Sequence, residues 1–418
     1  LFHRRRGTEL GFQNAVTKVV DDWRNTHIFG LKSDVQLTGN QRHAARFGVD
    51  LKRAQTKYDF FERSLIQGPR RYVTDSALEE PSGTEIGLYV SDKIRATKML
   101  AFDLGARYDR HSWTGDSEVS PRAGAALSLN EQTVLRAAWG HYYQAQGIQE
   151  MQVEDGERNF QAASRSTHYM AGIERRIGRG VLVRAEAYYK DLDDIKSRYE
   201  NLDDETDFIP EAESDRVQLF PLTGVSKGIE LFVRRDTGRL NWWMNYAFAS
   251  VRESFDFTGA PFEVLGDTSP RRFDQRHSFS IDLIFRPKDN WHVGAGWEIR
   301  EGWPYTPRYV ETVTHPSGNE NRSLVLGEFL SARYPVYHRL DMKISHWYDY
   351  GRVQMRVAFG LTNVYNREND RRYSYTQGFG GGGPGGGPGG GQVAGPTFGV
   401  LSEGWLPALP FVDVGFGF

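Results

Sequence analysis

The chain has 418 residues, in which 52 lysine and arginine residues face 54 aspartate and glutamate residues, so its formal net charge is −2. This balance, without a basic stripe, argues against a nucleic-acid partner. Cysteine is absent, and no run approaches the ~18 apolar residues of a membrane helix, so any membrane-spanning structure must be a closed β-barrel.

Apolar and polar side chains alternate from the amino end onward, which is the period of a β-strand. We expect a weak strand over residues 9–20 and then a hairpin that turns at Gly39 and Asn40. Further strands are predicted around the apolar positions of residues 86–94, 100–108, 123–129 and 135–139. Each has one apolar and one polar face.

The second half of the chain continues the same pattern over residues 169–173, 181–189, 229–233, 242–248, 340–344, 353–361 and 411–418. Its clearest example is the hairpin over residues 277–300. Phe279 and Ile281 alternate with polar residues on its first strand, and Trp297 and Ile299 do so on its second. The apolar face of such a hairpin covers a core in a soluble sandwich and meets lipid in an outer-membrane barrel.

The connections distinguish these two folds, because tight turns alternate with long polar loops. Long loops are expected near residues 63–83, 145–163, 196–222, 254–272, 302–333 and 366–408. Short turns at one end and long loops at the other are typical of outer-membrane barrels, whereas a Greek-key sandwich mixes them. We therefore predict an all-β, antiparallel up-and-down transmembrane β-barrel. It has about sixteen strands and forms one domain over residues 1–418.

Five short motifs, in their order and spacing, resemble the TonB-dependent outer-membrane receptor family. They are SPRAGA at residues 120–125, TVLRAAWG at 133–140, FDQRH at 273–277, YHRLD at 337–341 and LTNVYN at 361–366. The terminal aromatic residue, Phe418, matches the membrane-insertion signal that the barrel assembly machinery reads in that family. The resemblance implies the carboxyl-terminal barrel portion of a receptor in the outer membrane of a Gram-negative cell.

The resemblance also implies a barrel of 22 strands, an amino-terminal plug domain and a short box that engages the TonB energy-coupling complex. Neither the plug nor the box is found in the sequence. The simplest expectation is a truncation that removes the plug and roughly six strands. The implied function is import of a scarce small-molecule or oligomeric nutrient, such as a siderophore or metal chelate. A plugless, porin-like passive channel and a structural or adhesive surface barrel remain alternatives.

A cluster of aromatic side chains with one arginine begins the predicted outer loop 302–333. Trp303, Tyr305, Arg308 and Tyr309 lie there among prolines. Aromatic faces and a guanidinium group can stack on and clamp a planar or anionic ligand. We therefore take these four residues as candidate substrate contacts. The alternative is that the aromatic residues belong to the membrane-interface girdle around a rigid proline turn.

Two further loops have unusual compositions. The acidic loop contains Asp203, Asp204, Glu205 and Asp207, and clustered carboxylates are the ligands that Ca²⁺ prefers. Because the spacing of an EF-hand is missing, a solvated acidic loop is the alternative to a calcium site. The glycine-rich stretch 378–391 predicts a flexible outer loop.

No catalytic motif supports an enzyme. His277 and Ser278 are adjacent and Asp274 is near, but neighbouring residues of a strand face opposite sides. We therefore expect a transporter that has no catalytic residues and needs no cofactor. Its expected partners are outer-membrane lipid, the nutrient, the TonB complex acting through a plug, and the barrel assembly machinery.

Overall fold

The computed structural model describes residues 2–10, 16–39, 41–66, 71–178, 180–202, 216–256, 267–314, 320–378 and 397–417. Within these ranges the secondary structure consists of β-strands, apart from a 3₁₀ turn at Val153–Asp155. The strands of the first half are β1 (Phe2–Leu10), β2 (Val16–Leu37), β3 (His43–Ile66), β4 (Arg71–Glu79), β5 (Ser82–Arg95), β6 (Leu100–His111), β7 (Ser117–Asn130), β8 (Thr133–Gln144), β9 (Ser164–Ile177), β10 (Val181–Asp193), β11 (Arg198–Asn201) and β12 (Arg216–Arg235).

The second half continues in the same way. Its strands are β13 (Leu240–Asp256), β14 (Ser269–Pro270), β15 (His277–Lys288), β16 (Trp291–Arg300), β17 (Pro304–Tyr305), β18 (Arg308–Thr314), β19 (Glu320–Leu326), β20 (Ala332–Arg333), β21 (Tyr337–Asp349), β22 (Gln354–Thr362), β23 (Asp370–Gly378), β24 (Thr397–Gly404) and β25 (Leu409–Gly417). No helix in the described ranges is long and apolar enough to cross a membrane.

The chain forms two compact units. The first contains Leu1–Arg175, Glu186–Lys227 and Glu253–Asp256, and the second contains Arg176–Ala185, Gly228–Arg252 and Phe257–Phe418. In the first, antiparallel pairs join β1 to β2, β2 to β3, β3 to β5, and then each strand to the next up to β9. In the second, β13, β15, β16, β21, β22 and β25 are paired in that order.

The predicted strand count agrees with the structure. The series has sixteen long strands within the described residues when β4 and β5 count as one and the short or separately paired segments are left out. Short turns alternate with longer connections, as expected. The hairpin predicted over residues 277–300 is confirmed as β15 and β16, in which Phe279 pairs with Ile299 and Ile281 with Trp297.

The prediction of a loop over residues 63–83 is wrong, because strands occupy most of this range. β3 pairs with β4 from Tyr58–Glu79 to Ile66–Arg71 and with β5 from Gln55–Ser82 onward, in one unbroken register. The amide of Thr56 donates to the carbonyl of Pro81 at 3.0 Å and so carries the ladder across the joint. Because proline has no N–H to donate, it interrupts one strand here without ending the hairpin.

Other connections also contain strands that we expected as irregular loops. The segment 302–333 holds the pair β17–β20 and the hairpin β18–β19, and the segment 366–408 holds the hairpin β23–β24. β11 and the start of β12 lie within 196–222, and β14 within 254–272. The weak strand expected over 9–20 is instead divided between β1 and β2, which pair with each other. The connection 145–163 lies between β8 and β9.

The apolar face of the long strands is open to the surroundings. Phe29 is 74% exposed, and many other large apolar side chains on alternate positions of β2, β5 and β7 are similarly open. The opposite face of the same strands carries charged and small residues. This sorting agrees with a sheet that has lipid on one side and water on the other.

Candidate ligand-contact site

The four candidate contact residues lie at the start of the connection that follows β16. Trp303 precedes β17, Tyr305 is its last residue, and Arg308 and Tyr309 begin β18. β17 pairs with β20, so the base of the connection is closed by a short ladder. Within this base Gly302 approaches the backbone carbonyl of Tyr334 so closely that a Cβ atom has no room.

An arginine holds this base in place. Arg333 binds the carboxylate of Asp274 and also donates to the carbonyl oxygens of Asp274 at 2.8 Å and Gly302 at 3.2 Å. The carboxylate of Asp274 is almost fully buried and accepts the amide N–H of Val251 at 2.6 Å. Charge-assisted hydrogen bonds of this kind are the stronger ones in proteins. Asp274, which belongs to the FDQRH motif, therefore has a structural role here.

Trp303 belongs to a first aromatic group. Its ring lies edge-on to Phe273, with centroids 5.0 Å apart, and edge-on to Trp405, with centroids 5.9 Å apart. Edge-to-face pairs at these distances are favourable. The indole is half-buried, so part of its surface is accessible to a ligand.

Tyr305 belongs to a second aromatic group. It stacks on Tyr334 with centroids 4.6 Å apart and meets Tyr373 edge-on at 5.3 Å. Burial raises the pKa values of the Tyr305 and Tyr334 phenols. Burial and the hydrogen bond to Asp370 raise the pKa of Tyr373 to about 12. The three phenols therefore stay protonated at neutral pH. That of Tyr373 already donates its hydrogen bond to Asp370, which leaves the phenols of Tyr305 and Tyr334 as the donors for a ligand.

Arg308 and Tyr309 have different surroundings. The guanidinium of Arg308 lies over the ring of Tyr375, 5.6 Å from its centroid, whereas the Tyr309 side chain is 58% exposed. The structure thus brings Tyr305 and Arg308 to the tyrosines of β23, and places Trp303 with Phe273 and Trp405. Aromatic faces, phenol donors and a guanidinium group together suit a flat ligand that carries oxygen acceptors or negative charge.

The connection 145–163 of the first unit is folded, which our sequence reading missed. Met151 and Val153 are buried against Val20, Tyr58 and Phe60. The Tyr58 hydroxyl donates to the carbonyl of Ile148 at 2.7 Å and accepts the amide N–H of Met151 at 3.2 Å. The apolar residues at 148, 151 and 153 are the sequence signal that could have indicated this packing.

Ion pairs fasten this connection on two sides. The guanidinium of Arg24 lies 2.6 Å from the carboxylate of Glu154 and also binds Asp22. On the other side Arg216 binds Asp155, and nearby Arg198 joins Glu200 to Glu253. Burial raises the pKa of the Glu154 carboxyl, and the positive charge of Arg24 opposes that effect.

The remaining candidate positions lie outside the described residues. They are Asp203, Asp204, Glu205 and Asp207 of the acidic loop, the glycine-rich stretch after Gly378, and Phe418. The calcium interpretation of the acidic loop stays a prediction. In the ranges that the structure does describe, no group of three or more His, Asp or Glu residues is arranged to hold a metal ion.

One family model matches most of the chain. It is described as "TonB dependent receptor-like, beta-barrel" and covers residues 3–366. No curated protein sequence matches the chain.

Solved outer-membrane transporters share the fold. The unliganded ferric citrate transporter FecA superposes with a TM-score of 0.56 at 11% identity, over 99% of this chain and 57% of FecA. The ferric-catecholate import receptor Fiu from Escherichia coli K12 gives 0.54 at 14% identity, over 85% and 52%. The siderophore receptor PirA from Acinetobacter baumannii gives 0.52 at 13% identity, over 87% and 55%. The chain spans about half the length of these proteins, and the predicted barrel fold is confirmed.

Proposed function

Because the chain belongs to the TonB-dependent receptor-like β-barrel family, we propose that it forms the barrel wall of an outer-membrane receptor that imports a scarce nutrient. A siderophore or another metal chelate is the nutrient class that we propose, since the similar structures are those of a ferric citrate transporter, a ferric-catecholate import receptor and a siderophore receptor. The function is transport, without a catalytic step.

The observation that carries this proposal is the sorting of side chains between the two faces of the strands. Phe29 and Leu31 are exposed on the apolar face of β2, whereas Lys32 and Asp34 alternate with them on the polar face. An apolar outer face suits the lipid of the outer membrane, and a charged inner face suits a water-filled lumen.

The folded connection 145–163 favours a receptor over a wide passive channel. It packs against Tyr58 and Phe60, which lie on the same face of β3 as Thr56. Closer to the start of β3, this face carries polar side chains. We place the nutrient contacts at Trp303, Tyr305, Arg308 and Tyr309, where aromatic faces and one guanidinium group are available. Energy coupling through a plug domain and the TonB complex is part of the same proposal.

Uptake in a receptor-deficient Gram-negative strain tests the proposal. Cells that express the protein are supplied with radioactive iron as ferric citrate, as a ferric catecholate or as a ferric hydroxamate, with and without TonB. We expect uptake of one chelate that requires TonB. Equal uptake without TonB would support a passive channel instead, and no uptake of any chelate, together with adhesion of the cells to surfaces, would support an adhesive barrel.

Substitutions then test the contact residues. Trp303→Ala and Tyr305→Ala are expected to lower the affinity for the imported chelate by about tenfold each, the effect of losing a buried aromatic contact. Trp291→Ala is the matched control, because Trp291 starts the strand after which Trp303 lies and is similarly aromatic and partly exposed. Unchanged affinity in both variants, with normal folding, would remove these residues from the site.

A further inference from the structure

A row of residues crosses four strands of the first unit on their polar face. Gly105 of β6 pairs with Arg122 of β7, Arg122 with Gly140 of β8, and Gly140 with His168 of β9. Side chains at paired positions point to the same face of an antiparallel sheet. Arg122 and His168 therefore lie on one face of the sheet, and the two residues paired with Arg122, Gly105 and Gly140, add no side chain of their own there.

The glycine at position 140 lets two aromatic rings and the arginine stack. A Cβ atom at Gly140 would lie 3.1 Å from Cγ of Arg122 and 3.3 Å from Cε2 of Tyr142. The guanidinium of Arg122 lies over the ring of Tyr142, 4.5 Å from its centroid. The same ring faces the imidazole of His168, with centroids 4.2 Å apart and planes inclined by 31°. Such stacking orients a guanidinium group before any ligand arrives.

A second cation lies beside this stack. The ammonium of Lys190 lies 5.0 Å from the centroid of the Tyr188 ring on β10. The charges of Lys190 and Arg122 both act on the imidazole of His168, so the three groups share one local field. We call Arg122, Tyr142, His168, Tyr188 and Lys190 the cationic shelf.

The charges of the shelf are not neutralised within the part of the chain that the structure describes. No carboxylate there lies within ion-pair distance of Arg122 or Lys190. Other cations of the same face are paired, as Arg107 is with Asp109 and Lys52 with Glu85. Two cations that have no ion-pair partner and that both act on the imidazole of His168 favour a ligand that supplies the missing negative charge.

Next to the shelf, small residues leave a depression of about 280 Å³. Its floor includes Gly124, Ala138 and Gly172, and Arg136 is the cation that reaches it from β8. The carboxylates of Asp103 and Glu186 also line it, together with Lys93. The depression is therefore mixed in charge and apolar at its floor, whereas the adjoining shelf is purely cationic.

We propose that the cationic shelf and the adjoining depression bind an organic anion that has two or more negative groups and a flat apolar body. Arg122 and Lys190 bind the negative groups, the Tyr142 and Tyr188 rings define the direction of approach, and the depression receives the apolar body. This site is separate from the four residues around Trp303. It does not depend on which nutrient is imported or on energy coupling.

Binding of pyranine, a pyrene trisulfonate, tests the proposal with the folded protein in zwitterionic detergent. Fluorescence anisotropy at low ionic strength gives the affinity. Arg122→Gln and Lys190→Gln are each expected to weaken binding several-fold, and the double variant by about tenfold or more. Added salt is expected to weaken binding to the wild type and to have less effect on the double variant.

Two controls separate this site from general attraction to a charged lumen. Arg107→Gln removes a cation from the same polar face and is expected to leave the pyranine affinity unchanged, since Asp109 already neutralises Arg107. Gly140→Val keeps every charge but displaces Arg122 and Tyr142, and is expected to weaken binding about as much as Arg122→Gln. Circular dichroism verifies that each variant keeps its β-sheet.

Three results would overturn the proposal. The first is unchanged affinity in the double variant. The second is equal loss in Arg107→Gln, which would indicate diffuse attraction to the whole face. The third is equally tight binding of an uncharged pyrene alcohol, which would indicate apolar adsorption alone. Because the pyranine measurement does not involve uptake, a negative result would not contradict the proposed import function. A negative uptake result would likewise not contradict the cationic shelf as an anion site.

Discussion

The guanidinium of Arg216 binds the carboxylate of Asp155 through two hydrogen bonds, each 2.6 Å long. Both side chains are largely buried, and they join β12 to the 3₁₀ turn of the connection 145–163. A two-pronged arginine–carboxylate pair sets the orientation of both groups as well as their distance. The turn is therefore attached to the strand in one defined arrangement.

Asp155→Asn is expected to loosen the connection 145–163. Removing one charge from a buried pair destabilises by about 3–5 kcal/mol, because the remaining charge keeps its desolvation cost. Hydrogen exchange of the amides of residues 153–156 measures the effect, and we expect faster exchange there. Asp236→Asn is the control, since its contact with Arg234 is 3.8 Å long and about half exposed, and such pairs contribute little. Equal exchange in both variants would contradict the prediction.

Tyr58→Phe tests the other attachment of the same connection. The change leaves the carbonyl of Ile148 and the amide of Met151 without the hydroxyl between them. A buried group that loses its hydrogen-bond partner costs about 1–3 kcal/mol, so the amide of Met151 is expected to exchange faster. Tyr350→Phe, at an exposed position, is expected to change nothing. Protection of Met151 at the wild-type level would show that the hydroxyl is dispensable.

Gly302→Ala is expected to displace the base of the candidate ligand-contact site. The added methyl group would collide with the backbone carbonyl of Tyr334, and backbone atoms cannot move aside as a flexible side chain can. We expect lower chelate affinity and a lower unfolding temperature. Gly39→Ala is the control, because no atom lies within 4 Å of a Cβ there. Wild-type behaviour of Gly302→Ala would mean that the two backbone segments separate without cost.

The phenol of Tyr373 is expected to lose its proton only at high pH. Its pKa in the folded protein is about 12, above the ordinary value of about 10. Holding the phenol neutral therefore contributes stability that is present below pH ~10 and is lost as the pH rises from there through the folded-state pKa. Tyrosinate absorbance, measured for the wild type minus Tyr373→Phe, is expected to show one phenol with a midpoint near pH ~12.

Asp370→Asn provides the matched control for this titration. It removes the negative charge and charged acceptor that help to raise the pKa of Tyr373, so the midpoint is expected to fall. A difference titration already centred near pH ~10 in the wild type would contradict the assigned burial.

The sequence predicted the features that depend on local periodicity. Alternation identified the long strands, and the turn residues at Asp289 and Asn290 located the tight end of the β15–β16 hairpin. The alternation did not reveal the strands at residues 63–83, because Pro81 and the polar residues around it indicate a loop. Their pairing partners in β3 are about twenty residues away, and the apolar cover over Tyr58 and Phe60 comes from Met151 and Val153. No local pattern contains that information.

The candidate sites show the same limit. Trp303 and Tyr305 are neighbours in sequence, but their partners, Phe273 and Trp405 for one and Tyr334 and Tyr373 for the other, come from distant segments. The cationic shelf depends on strand register. An irregularity between Ser128 and Asn130 shifts the β7–β8 register by one residue, and beyond it Arg122 is opposite Gly140. A one-residue slip would pair it with a different side chain, and the sequence does not reveal the shift.

The unbroken register across Pro81 allows the hairpin of β3 and β4 to change in length without disturbing the rest of the sheet. Every pair from His43–Ile94 to Ile66–Arg71 follows the same alignment, so matched deletions or insertions at the tip alter only the reach of the hairpin. The pairs nearer the opposite end, including those that β5 makes with β6, keep their partners. The length of this hairpin and the integrity of the rest of the sheet can therefore vary independently.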